Sequence, residues 1–342
     1  MKARHWMAAI TTAALFVAPL SFAADDKIGI FESIHVSNVS FDETTAALEA
    51  AFDASGLVLH ATHDVRVPDD LHRARVYVMT SPTFADAAQD ESPRTVSAQV
   101  LRLAVYTTGD EQATAINMAN PVAHAMVYYA DSKNYDELLD AARNAAAEIR
   151  QLASSVPGEA VSRQLEPRRS ENHYNKYKGD GPARMMAKFR TFEKSQLLIS
   201  EGPASEFDAI VERVTAALAA SSVSGADDTT GWETVAVIPL RDDAVYIGVT
   251  NPYIEDRMIR INSRFRKDGK SDTSPYPGVD HVTALPTGVL VVREGDVTEV
   301  LHYGQMWRMQ LYFWDSGYRA FTANVGVPAA IANSIEETIA GK

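Results

Sequence analysis

The sequence predicts a mixed α/β protein in which a two-layer domain occurs twice, each copy a largely antiparallel sheet covered by helices. Three observations lead there. The same order of elements recurs, from about Asp26 to Ser155 and again from about Ser195 to Ala340. Each copy has a strand-like run that stops at one T-x-P-x-x-x-D pattern, Thr80 to Asp86 and Thr250 to Asp256, where proline cannot donate to a sheet ladder. Each also has a β-rich run closing on Gly-Asp, at Gly109 and Gly295, the mark of a tight hairpin. Strands joined by tight turns pair antiparallel, which sets the sheet type.

In order along the chain, FDETTAALEAAF puts Phe41, Thr45, Leu48 and Phe52 on one helical stripe, and FDAIVERVTAAL puts Phe207, Val211, Val214 and Leu218 at the same spacing. Ser40 with Glu43 forms a capping box, Gly56 marks the helix stop, and Ser205 is placed to cap the second copy. Strand-like runs follow: LVLHATHDV from Leu57 and ETVAVIPL from Glu233, then RVYVMT from Arg75 and VYIGVT from Val245. The second copy then carries a helix-compatible insert with Ile254, Met258, Ile261 and Phe265 on one face. VLRLAVYTTGD from Val100 matches GVLVVREGD from Gly288, and the aromatic runs MVYYADS from Met126 and LYFWDS from Leu311 read as a further pair of strands. Closing helices bear Leu138, Ala142, Ala145, Ile149 and Leu152 in one copy and Ile331, Ile335 and Ile339 in the other.

The expected divisions are a signal peptide over residues 1–23, a first domain over 24–155, a basic linker over 156–194 and a second domain over 195–342. The linker expectation rests on Pro157, Gly158, Pro167, Gly179 and Pro182 without clean periodicity. Lys2 and Arg4, the apolar run from Met7 to Leu20 and the small residues Ser21 and Ala23 read as an export signal cleaved after Ala23. The apolar run is too short for an uncleaved anchor, which needs about 20 residues. Periplasmic or secreted location is therefore expected, with no membrane anchor and a monomer of pseudo-dimeric repeats.

Loss of Lys2 and Arg4 leaves 30 basic against 45 acidic residues, a formal net charge of −15. Nucleic acid and anionic lipid need a basic footprint, so neither is expected as partner. With no cysteine, the chain has no disulfide, thiolate zinc site, iron–sulfur cluster or c-type haem attachment.

The opening SFDETTAALEAAFDASGLVL, the strands closing on Thr80-Ser81-Pro82 and Thr250-Asn251-Pro252, the run AINMANP from Ala115 and the stretch ALPTGVLVVREGDVTEVLHYG from Ala284 resemble the bacterial family of domain of unknown function 302. The second copy departs from that pattern with Gly304-Gln305 in place of the proline turn and with its long insert. The resemblance implies a compact α/β domain that associates as a homodimer in its single-copy form, so that this chain resembles a dimer fused into one polypeptide. It implies no activity.

No G-x-S-x-G elbow and no phosphate-cradling glycine loop is present, so no catalytic residue and no cofactor is assigned, and an uncharacterised hydrolase stands only as an alternative. His60 and His63, three apart on a strand, point to opposite faces and read as polar surface. His302, Met306 and Met309 are the soft ligand types that select cuprous copper, which makes periplasmic copper handling a second alternative. The favoured expectation is a non-enzymatic binding protein for a small apolar molecule or a protein partner. Its site is expected on the second copy at Tyr303, Gln305 and Trp307, where aromatic bodies with polar tips could fill and orient a pocket.

Overall fold

In the computed structural model, residues 27–68, 72–109, 113–165, 168–175, 196–221, 231–260, 278–303 and 326–341 are described. The export signal lies outside them. Ser40 caps helix α1 (Phe41–Phe52): its side chain accepts from the Glu43 N–H, and Glu43 Oε2 accepts from the Ser40 N–H at 3.0 Å. That reciprocal pair satisfies two of the donors that a helix start leaves open. Phe41, Thr45, Leu48 and Phe52 are all buried, as their stripe requires. In helix α6 (Phe207–Ala220) the buried face is Phe207, Ile210, Val214 and Leu218, with Val211 half-buried at its border. Ser205 is not its cap, because Ala204–Glu206 forms a 3-10 turn and the helix begins behind Glu206 without a side-chain cap.

Two main sheets form, and all their pairings are antiparallel. The first runs β3 (Val58–Val65), β4 (Ala74–Thr80), β5 (Leu101–Thr108), β6 (Ala113–Ala119), β2 (Phe31–Ser37), β7 (Gly158–Gln164). In the second the order is β10 (Glu233–Arg241), β11 (Ala244–Thr250), β12 (Thr287–Glu294), β13 (Val297–Tyr303), β9 (Gln196–Pro203). Taken in chain order, the two sequences of strands are the same, apart from β7. Short β1 (Ile28–Gly29) pairs separately with β8 (Arg168–Arg169). Gly109 and Gly295, at φ of 71° and 59°, make the expected hairpin turns, a left-handed backbone that suits glycine.

Two expectations differ from the structure. Gly158–Gln164, inside the expected linker, is an edge strand along β2, its register starting at Ser37 opposite Gly158. A Cβ at position 158 would fall 2.2 Å from the Val36 carbonyl, and φ there is +152°, so the strand starts where only glycine fits. Met126–Tyr128, expected as strand, lies in helix α3 (Pro121–Tyr128). Asn120 caps that helix and Pro121 sits in its first turn, so the helix start overrides the β preference of the aromatic residues.

Each face of the first sheet is covered. Tyr77, Met79, Leu103, Val105, Ile116 and Met118 pack with Phe41, Leu48 and Phe52 of α1 and with Leu138, Ala142 and Ile149 of α4 (Tyr135–Ala153). From the other face, Val76, Val78, Ala104, Tyr106 and Ala115 join a cluster made mostly by the second half. The 3-10 helix Val279–Ala284 of the second half lies on β4, β5 and β6, and the 3-10 helix Pro93–Gln99 of the first half lies on β10, β11 and β12. Edge strands β3 and β10 also touch. Each 3-10 helix thus lies on the sheet of the other half. The buried layer between the two inner faces is the seam.

Candidate functional site in the seam

Strand β5 reads Leu-Arg-Leu-Ala-Val-Tyr, and alternation sends Arg102 to the inner face with Ala104 and Tyr106. Its guanidinium is buried and donates from Nη2 to His124 Nε2 at 3.1 Å and from Nη1 to the Ala284 carbonyl at 3.4 Å. His124, on α3, donates from Nδ1 to the Asn120 carbonyl at 2.8 Å. The tautomer follows from these partners: the proton is on Nδ1, and Nε2 accepts. Burial, then the neighbouring Arg102 charge, lowers the His124 pKa to about 3, so the ring is neutral and orients the cation without competing with it.

Beside it, Asn117 pairs in register with Ala104, and Arg102 with Val78. Asn117 donates from Nδ2 to the Asp280 carbonyl at 2.9 Å, crossing the seam. The next residue, His281, is fully buried and stacks on Phe31 with centroids 4.7 Å apart. Asn117 Oδ1 and Thr283 Oγ1 are buried with no hydrogen-bond partner among the described residues. Both lie where the 3-10 helix Val279–Ala284 meets the first sheet. Counting from the matched hairpins puts Leu301 of β13 at the place that Asn117 has in β6, so the second half is apolar there.

A second polar group sits at the other side of the seam. Glu255, on α7 (Pro252–Arg260), is fully buried. Its Oε1 accepts from His63 Nε2 at 2.7 Å, Thr250 Oγ1 at 2.9 Å and Arg66 Nη1 at 3.0 Å, and its Oε2 accepts from the Arg66 N–H at 2.8 Å. Burial works to raise its pKa, but the hydrogen bonds and charges of His63 and Arg66 outweigh that and hold it below the ordinary carboxylate range. Arg66 also pairs with Glu233. His63 is therefore an interface residue and not polar surface. His60 falls at a bulge of β3 and meets Thr80 Oγ1 at 2.9 Å.

Of the expected site residues, His302 is buried and donates from Nε2 to Glu336 of the closing helix α8 (Val327–Ala340) at 2.8 Å. Tyr303 ends β13 opposite Gln196. Gln305, Met306, Trp307 and Met309 lie outside the described residues. Among the described residues no group of three or more His, Asp or Glu side chains is placed to hold a metal ion, and no helix is long and apolar enough to cross a membrane.

Residues 32–156 match the family model described as "Domain of unknown function DUF302". They form a DUF302 domain. The match covers β2 through the end of α4, so Arg102, Asn117 and His124 all belong to the DUF302 domain, while Glu255 and Thr283 come from outside it. No curated protein and no solved structure matches the chain.

Proposed function

We propose that the chain is an exported, non-enzymatic binding protein, its second half a diverged copy of the DUF302 domain, which takes a small molecule in the seam between the halves. The observation that carries this reading is the pair of unfilled oxygens, Asn117 Oδ1 and Thr283 Oγ1, beside the oriented Arg102. A buried polar atom without a partner costs about 1–3 kcal/mol. For stability alone an apolar residue serves better at position 117, as Leu301 does at the matching place. Val78 and Ala104 flank the polar groups, so a ligand with an apolar body and a hydrogen-bonding end fits the chemistry. Interfaces between domains are where such sites preferentially occur.

The test is to purify the protein from its native compartment and identify what is extracted with it by mass spectrometry, alongside Asn117→Leu. The expected result is a small molecule that accompanies the wild type and is lost from the variant. A ligand-free preparation whose melting midpoint no small acid, amide or alcohol raises would sink the reading. Export has its own check, an intact mass beginning at Ala24; a retained Met1 would overturn it.

A further inference from the structure

Charges that face each other across the seam are segregated by half. The first half contributes cations and donors: Arg66 pairs with Glu255 and Glu233, Arg94 with Glu299 and, at 3.3 Å, with Glu294, and His63 donates from Nε2 to Glu255. All four carboxylates belong to the second half. Among the described residues no ion pair runs the other way across the seam, the Arg241 guanidinium meeting only the Glu91 carbonyl of the first half, at 2.6 Å.

The matched registers say what each group would meet in a pairing of like halves. Val76 pairs with His63, and Tyr246 at the same place in the second sheet pairs with Ile238, so His63 matches Ile238. Val58 and Glu233, opposite Thr80 and Thr250, match in the same way. Counting on from those threonines matches Ala85 with Glu255, and counting from the Gly109 and Gly295 turns matches Thr108 with Glu294 and Ala115 with Glu299. Counting back along β5 and β12 without a gap matches Arg94 with Asp280. Two first halves would therefore bring His63 against Val58 and Ala85, and Arg94 against Thr108 and Ala115. Two second halves would bring the buried Glu255 against Ile238, and Asp280 against Glu294 and Glu299. A charge buried without its partner, or against a like charge, is strongly unfavourable.

We propose that the opposed charges of the two inner faces are a matching code, which closes a first half on a second half and counts against pairing of like with like. The partner that each face fits is the unlike half. At each position matched above the code is one-sided, so it is a property of the pair and not of the fold that both halves share.

The test uses the full mature chain, with the second half given the first half's residues: Glu233→Val, Glu255→Ala, Glu294→Thr and Glu299→Ala together. Mass by light scattering over roughly 1–100 µM and the thermal midpoint are read for each protein. The expected result is a midpoint lowered by about 5–10 °C with concentration-dependent self-association, against a monomeric wild type. A midpoint that falls while the variant stays monomeric would reduce the charges to stabilisers and overturn the code, as would an unchanged midpoint. If the fourfold variant is not recovered folded, Arg94→Glu, Glu299→Arg and their combination decide. Recovery of most of the lost midpoint in the double variant supports the code, and additive losses overturn it.

Discussion

Glu255 and Asn117 occupy opposite ends of the same seam and are both fully buried, yet they are supported in opposite ways. Four donors converge on the Glu255 carboxylate, so its charge is compensated inside the protein. Asn117 uses its amide N–H to cross the seam and leaves its oxygen without a partner among the described residues. The difference is one of satisfaction: a polar group fully bonded by its own chain fixes the halves, and one bonded in part keeps acceptor capacity unused.

The largest effect that tests this contrast is Glu255→Ala, which leaves His63, the Thr250 hydroxyl and the Arg66 backbone N–H without their acceptor while the Arg66 guanidinium keeps Glu233, and should cost about 3 kcal/mol in urea unfolding. Acid probes both ends. His124 is held near 3 in the folded protein against 6.5 ordinarily, so its contribution is complete above pH 6.5 and drains away as pH falls toward 3, because only the unfolded chain takes the proton. The expected slope is at most about 1.4 kcal/mol per pH unit between pH 6 and 4, and His124→Gln, which keeps a donor and an acceptor, should remove it. The Glu255 pKa is likewise depressed, so its stabilisation is present above pH 4.5 and is lost below that, as the carboxylate is protonated. Glu255→Gln should flatten the acid limb there and leave the His124 slope intact. The smallest effect is expected from Thr283→Val, which removes an unfilled hydroxyl at nearly constant shape. It should change stability by no more than about 1 kcal/mol. A loss of more than about 2 kcal/mol would mean that Thr283 Oγ1 is satisfied in the ligand-free protein, which would weaken the contrast.

Much of this architecture was legible because periodic burial writes itself into residue type. The stripe Phe41, Thr45, Leu48 and Phe52, the strand ends at Thr80 and Thr250, and the Gly109 and Gly295 hairpins each follow from one local rule and are where the sequence predicts them, although Pro82 and Pro252 open helices where a turn was expected. Strand β7 was not legible, since an edge strand with an exposed pattern has no buried face to impose alternation on GEAVSRQ. The aromatic run at Met126–Tyr129 misled for the opposite reason: its burial comes from packing around α3, not from a sheet.

The seam residues had a signal that was available and unused. Arg102 interrupts an otherwise apolar strand, and Asn117 does the same in AINMA. A polar residue at a position whose neighbours are buried on both faces marks a second covered surface. That the cover is the other half of the chain depends on contacts far apart in sequence, such as Asn117 with Asp280, which no local rule encodes.

Joining the two inner faces by one backbone has a consequence for how the seam responds to dilution. Separate domains meeting through a seam of this kind would fall apart as their concentration dropped. A tethered half sees its counterpart at an effective concentration of the order of millimolar, whatever the amount of protein around it. Closure of the seam is then independent of expression level and of dilution, and any site built from Asn117 on one side and Thr283 on the other stays assembled in a single molecule.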